Sequence, residues 1–197
     1  HAVKKEGPLL PTIHSAAKRL WMMVAWAHFK KRWTAHLELE AVAKPVGNQR
    51  AAFVIRDNLR HRRDIERSYL KAIATAYNEI IIANAYFLPG RNFRHALIHA
   101  ARRGVSVILL LQGKIEYRIQ YHATRALYAN LLDAGIKIYE YQKSYLHAKV
   151  AVIDQYWSTV GSSNIDPFSL LMAREANVLI VDQVFAMELR TSLQQAI

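Results

Sequence analysis

His147 and Lys149 stand one residue apart in the segment Tyr145-Leu146-His147-Ala148-Lys149-Val150-Ala151-Val152-Ile153-Asp154. Alternate residues of an extended strand share a face, so this spacing points the imidazole and the ammonium to one side, with Ala151 and Ile153 continuing it. Such a pair suits phosphate chemistry. The lysine neutralises non-bridging oxygens, and the imidazole supplies a nucleophile or a proton near neutral pH. An unpaired charge on a buried strand face is costly, so two polar groups placed there imply a use. Beyond Asp154 comes Gly161-Ser162-Ser163-Asn164, which a returning strand would bring back toward His147. Gly161 permits close backbone approach, while Ser162 and Asn164 can donate to an anionic oxygen. Arg174-Glu175-Ala176-Asn177 opens a further apolar run. A Glu at the mouth of that strand could hydrogen-bond a histidine and hold its tautomer; a solvated strand end would explain Glu175 as well.

The elements that must position these groups alternate along the chain. A strand over 51–56 leads through Asp57 and Asn58 into a helix with Ile65, Tyr69, Ala72, Ile73 and Ala76 on one face. A strand near 79–86 ends at Pro89-Gly90, and a helix at about 92–103 stops at Gly104, whose missing Cβ suits the left-handed position after a helix. A strand over 105–111 follows, then a helix near 120–134 ending at Gly135, then a strand over 136–141. Helix, Gly and β-branched strand recur in Arg102-Arg103-Gly104-Val105 and Asp133-Ala134-Gly135-Ile136, the mark of βα units with parallel strands. After residue 144 the strands crowd together, at 146–154, 156–160 and 175–181, before a last helix from about 183 with Phe185, Leu189 and Leu193. Strands so close pair antiparallel, so the expectation is an α/β fold with a mixed sheet flanked by helices.

Residues 1–50 read differently, as a helical N-terminal segment ahead of a half-domain over 51–197. A helix over roughly 12–40 carries Ile13, Ala17, Leu20, Val24 and Ala27 at helical spacing, with Trp21, Trp26 and Trp33 and the basic run Lys30, Lys31, Arg32. A basic, Trp-rich amphipathic helix lies in a membrane interface or packs on protein. The arginines 56, 60, 62, 63 and 67, interleaved with Asp57, Asp64 and Glu66, read as a solvated, salt-laced surface, with contact to lipid headgroups as the second reading.

Composition bounds the partner. The chain has 197 residues, 27 Lys+Arg against 15 Asp+Glu, and a net charge of +12, so it favours a polyanion: nucleic acid, acidic lipid or a phosphorylated substrate. With no cysteine, disulfides, thiolate metal sites and cysteine nucleophiles are all excluded. No apolar stretch approaches the ~20 residues that span a bilayer. The sequence opens on His1 with no signal-peptide pattern, and is expected to be a fragment or processed piece of something longer.

Taken in order, His147-x-Lys149-x4-Asp154 and Gly161-Ser162-x-Asn164 resemble the signature of the phospholipase D superfamily. His28-Phe29-Lys30 is not a second copy, because Ala35 stands where the Asp is needed. From Arg56 onward the chain is similar to the C-terminal half of bacterial cardiolipin synthases, through Arg56-Asp57-Asn58, Asp64-Ile65-Glu66, Ile82-Ala83-Asn84-Ala85-Tyr86-Phe87-x-Pro89, Ala101-Arg102-Arg103-Gly104-Val105 and Val160-Gly161-Ser162-Ser163-Asn164-Ile165-Asp166-Pro167. Residues 1–50 resemble the variable connector between the halves of such enzymes.

This resemblance implies a phospholipase D-like fold and transfer of a phosphatidyl group between phospholipids through a phosphohistidine, with no metal or other cofactor. One motif histidine attacks phosphorus, and a second protonates the leaving alkoxide and then deprotonates the acceptor alcohol. Carried over, Lys149 and Asn164 bind phosphate, Ser162 supports the site and Glu175 orients His147. Asp154, the third member of the motif, is grouped with the catalytic set and expected to act structurally. His147 is first assigned as acid/base, with nucleophile as the alternative. The resemblance further implies an anionic membrane surface as partner, at the cytoplasmic side of a bacterial inner membrane. The family's site needs two His-x-Lys motifs, so a missing half or a second copy must complete it. The rival enzyme is a single-motif homodimeric nuclease, for which +12 is a natural charge. A non-enzymatic docking module is a third reading, opposed by the intact His147, Lys149 and Asn164.

Overall fold

The computed structural model describes residues 7–29, 47–56, 61–166 and 174–197, with side chains of 24–29 excepted. In chain order its elements are α1 (Leu10–Phe29), β1 (Arg50–Arg56), α2 (Asp64–Thr75), β2 (Glu79–Asn84), α3 (Arg91–Arg102), β3 (Ser106–Gln112), α4 (Arg118–Arg125), α5 (Tyr128–Leu132), β4 (Lys137–Tyr141), β5 (Lys149–Ile153), β6 (Trp157–Gly161), β7 (Glu175–Val181) and α6 (Gln183–Ala196). The strands form a seven-stranded sheet in the order β1-β7-β6-β5-β2-β3-β4. β2, β3 and β4 run parallel, joined by helical crossovers, and every other pairing is antiparallel. The sheet is mixed, as the spacing of its strands predicts. Gly104 and Gly135 end their helices at φ of +93° and +83°, a conformation with no penalty for a residue lacking Cβ.

Period-two alternation sorts the strand residues onto two faces. Ile80, Ile82, Leu109, Leu111, Ala151 and Ile153 pack against Ile65, Tyr69, Ile73, Phe93 and Leu97 of α2 and α3, and against Leu131 of α5. On the other face Ile81, Ala83, Leu110, Val150 and Val152 meet Ala186, Leu189 and Leu193 of α6. A sheet covered on both sides needs apolar residues at every position, which is why β2 and β3 read as nearly unbroken aliphatic runs. The register then brings one end of every strand to a common edge: Arg56, Asn84, Gln112 and Gly161 close β1, β2, β3 and β6 where Lys149 and Glu175 open β5 and β7. Open α/β sheets bind ligands at such an edge, beyond the carboxyl ends of the parallel strands.

Two expectations change, and a third is covered only in part. The helix expected over 120–134 is two helices, because Leu127 N bonds the Thr124 carbonyl only three residues back and breaks the four-residue ladder. β5 enters the sheet at Lys149 rather than at 146, although the Ala148 carbonyl still accepts from Ala85 N at 3.0 Å. Of the long N-terminal helix, α1 accounts for 10–29; the remainder of that expectation, with Trp33 and the Lys30–Arg32 run, lies outside the described residues, as does the side chain of Trp26.

Candidate active site

Three cross-strand neighbours build the site on the α2–α3 face of that common edge. Lys149 on β5 is paired with Asn84 on β2, and Glu175 on β7 with Arg56 on β1. Between them, Asn177 on β7 donates to Thr159 Oγ1 on β6 at 3.0 Å. Lys149, Asn84, Arg56, Thr159 and Asn177 are all buried. Burial depresses the Lys149 ammonium below its usual value, and Glu175, then Glu116 and Asp166, pull it back up. Arg56 behaves alike: burial lowers it, while Glu175, Asp166 and Glu66 oppose the shift. Two buried cations among distributed carboxylates are poised to take an anion, whose charge would replace the solvation they have lost.

The Gly161–Asn164 turn closes this pocket. A Cβ on Gly161 would overlap the Asn177 side-chain amide and the Ala176 carbonyl, so only glycine admits the approach of β7. Asn177 Oδ1 in turn accepts from Ser163 N at 3.4 Å. Ser163 Oγ accepts from Arg56 Nη1 at 3.2 Å, and Asn84 Oδ1 accepts from Ile165 N at 3.3 Å. The turn is thus fastened to β1, β2 and β7 together. What these bonds leave over is informative: Asn84 Nδ2 and Arg56 Nε and Nη2 are buried donors with no partner among the described residues. Buried donors are almost always satisfied; such donors, one on the residue paired with Lys149 and two on Arg56 of the same edge, suit the oxygens of an anion.

The expected site residues divide. Leu146, Ala148, Val150 and Val152 face α6, so the alternation that puts Lys149 on the opposite face reaches back to His147. His147 is exposed at the rim, and its carbonyl accepts from Lys149 Nζ at 3.4 Å. Asn164 lines the same pocket as Arg56, Ser163 and Asp166, with its Oδ1 buried and unpartnered. Ser162 is committed elsewhere: its Oγ accepts from Ala176 N at 3.1 Å and its own N–H donates to the Ala176 carbonyl at 3.0 Å, so it clips the turn to β7. Glu175 makes no hydrogen bond to His147 among the described residues. β6 stands between β7 and β5, at about 4.8 Å per strand, and the Glu175 charge acts on Arg56 and Lys149 instead. Asp154 is at the far edge of the sheet, where its carboxylate accepts from the N–H groups of Tyr77, Asn78 and Glu79 at 3.1, 2.8 and 2.9 Å. It holds the β5–β6 turn to the start of β2, at the opposite end of β5 from Lys149.

Arg56 corrects the reading of a solvated arginine surface. Only 2% exposed, it is a wall of the pocket, whereas Arg67 and His61 around Asp64 do form a surface cluster. Asn84 and Asn177 were not singled out as site residues, although each is an amide in an apolar strand, which is itself a signal. An open groove of about 1140 Å³ leads from Ser162 and Glu175 between β1 and α1, lined by Ile13, Ala17, Leu20, Phe53 and Ile55. Among the described residues no three His, Asp or Glu side chains converge as metal ligands.

Residues 69–197 match the family described as cardiolipin synthase, PLD-like domain. Cardiolipin synthase B of Salmonella typhi is 44% identical over 194 residues, which cover 98% of this chain and 46% of that protein. The chain therefore spans about half the length of the curated relatives it matches. Among solved structures, a phospholipase D family member, Nuc from Salmonella typhimurium, superposes with a TM-score of 0.61 at 20% identity, over 76% of this chain and 94% of that one. NucT from Helicobacter pylori does so with a TM-score of 0.62 at 19% identity, over 76% and 96%. The family match and the 44% identity over nearly the whole chain place it: the chain belongs to the cardiolipin synthase family of phospholipase D-like proteins.

Proposed function

We propose that residues 51–197 form one half-site of an enzyme that moves a phosphatidyl group from one phospholipid to the alcohol headgroup of another, with 1–50 as a connecting segment. The observation that carries this reading is the set of buried donors without partners among the described residues on Asn84, which is paired with Lys149, and on Arg56 along the same edge, with an exposed imidazole at its rim. Lys149, Arg56 and the amides of Asn84 and Asn164 hold the phosphate and stabilise the charge that grows on its equatorial oxygens. His147 acts as acid and base, with the nucleophilic role as the alternative. A histidine nitrogen attacks phosphorus as the bond to the leaving oxygen breaks, and the other histidine protonates that oxygen. The acceptor hydroxyl then gives its proton to the same base and attacks, and the P–N bond breaks to free the nucleophile. One imidazole cannot attack phosphorus and protonate the leaving oxygen in the same step, so a second His-x-Lys pair must face His147. A second copy or the remainder of a longer chain supplies it.

The enzyme works on an anionic membrane surface in this reading; among the described residues no helix is long and apolar enough to cross one. The charge of +12 keeps a nucleic-acid phosphodiester as the rival substrate, which salt-dependent DNA binding compared with anionic-liposome binding distinguishes. Light scattering combined with a turnover assay tests the proposal. A strictly monomeric preparation is expected to transfer no phosphatidyl groups. Supplying the other half of a relative is expected to restore transfer, and His147→Ala to abolish it again. His147-dependent turnover by a strict monomer would refute the half-site.

A further inference from the structure

The edge that holds the anion pocket carries a second feature. Ile115, Tyr117 and Ile119 on the segment leading into α4, and Tyr145 just before β5, are 50, 58, 83 and 60% exposed. α4 contributes no buried side chain to the core, so its first turn is free to face outward. Both segments belong to one surface. The Lys114 ammonium stands 5.9 Å from the centre of the Tyr145 ring, and Leu146 N donates to Gln112 Oε1 at 3.0 Å. Tyr117 rests edge-on against Tyr86 with ring centres 5.8 Å apart. The charge around these side chains is mainly basic: Lys114, Arg118 and Lys143 flank them against one acid, Glu116, which accepts from the Tyr86 hydroxyl at 2.5 Å.

We infer that this surface seats in the interface of an anionic lipid bilayer, an inference that rests on the phosphatidyl-transfer reading above and names where the lipid meets the protein. Isolated exposed apolar residues are ordinary, but a cluster with a basic rim marks an interaction site. Aliphatic side chains enter the acyl boundary, tyrosine rings settle at headgroup level, and lysine and arginine meet the negative leaflet. Continuity with the pocket fixes bilayer phosphates as the occupant: Tyr145 precedes His147 by two residues, and Gln112 and Asn84 end adjacent strands. A bilayer gripped by Ile115, Ile119 and Tyr145 lies against the edge of the sheet at which Lys149 opens β5.

The chain lacks cysteine, so one introduced thiol reports one place. Ile119→Cys carrying a polarity-sensitive dye is expected to shift to the blue on addition of phosphatidylcholine–phosphatidylglycerol vesicles. Tyr77→Cys is the reference: Tyr77 is 81% exposed and lies at the opposite edge, beside Asp154, and no shift is expected there. The Ile115→Ser/Ile119→Ser double variant is expected to bind these vesicles roughly tenfold or more weakly, with inorganic phosphate titrating the Lys149 pocket as in the parent. Equal shifts at both positions, no shift at 119, or full vesicle affinity in the double variant would overturn the inference. So would a double variant that converts a dimer into a monomer while keeping its vesicle affinity, which would make the surface an interface between copies. Failure of phosphate to bind the parent, with the shift at 119 intact, would sink the transfer reading and leave the docking surface standing.

Discussion

Lys149 shows at the scale of one residue how binding is set against stability. Its ammonium lies among apolar and amide groups, and burial holds it below the usual lysine value of 10.5. Lys149→Met should therefore lose phosphate binding and yet be about 1 kcal/mol more stable near pH 7, since it removes a buried charge while Arg56 remains opposite Glu175. The sign with pH follows from linkage. Between the lowered folded value and 10.5 the unfolded chain binds more protons than the folded one, so the parent gains stability as pH rises through that window. Melting both proteins from neutral pH to above 10 should show the gap narrowing; a gap that widens would mean that Lys149 is stabilised, not penalised, by its surroundings. Gly161 belongs to the same scale. It yields to no other residue because the amide of Asn177, which orders the whole turn, occupies the space a side chain would need.

Elements explain why some of this was legible in the sequence and some was not. His147 and Lys149 could be read because they are two residues apart where the extended chain enters β5, and β2 and β3 because burial on two faces leaves a local aliphatic signature. Arg56 could not. Its environment comes from Ser163, 107 positions away, and from the β1–β7 pairing, neither of which a local pattern of charge records. The break between α4 and α5 was hidden for a similar reason, since Arg125 at the end of α4 is held by Glu140 on β4 at 2.7 Å. Asp154 was readable as a motif member expected to act structurally, but the partners it holds depend on the topology. Asp154 and Gln155 both have positive φ, at 52° and 55°, and the Asp154 carboxylate ties this tight turn to the opening of β2. Asp154→Ala should lose about 2–3 kcal/mol, from backbone strain and the loss of the three hydrogen bonds its carboxylate accepts. Phosphate affinity per folded molecule should be unchanged. Urea denaturation beside a phosphate titration checks both halves, and a lost pocket in a folded variant would contradict the separation of the two edges.

The whole molecule divides its labour between those edges, one holding Asp154 and the tight turn, the other Lys149 and the groups proposed to bind phosphate. Its pairing order adds a dimension of time. β2, β3 and β4 join neighbours along the chain through short crossovers, and β5 and β6 form a hairpin, whereas β1 meets β7 across the whole stretch from Arg56 to Glu175. Contacts between distant segments must pay the entropy of closing a long loop before they return anything. The β1–β7 ladder, and with it Arg56, Glu175 and the fastened Gly161–Asn164 turn, is therefore expected to form after the rate-limiting barrier, once the parallel strands are in place. A ligand that holds contacts absent from the transition state slows unfolding and leaves refolding untouched. Phosphate should accordingly lengthen the lifetime of the native state in stopped-flow unfolding without changing the refolding rate, so that a site built by the last strands to pair also acts as the latch on the first strands to leave.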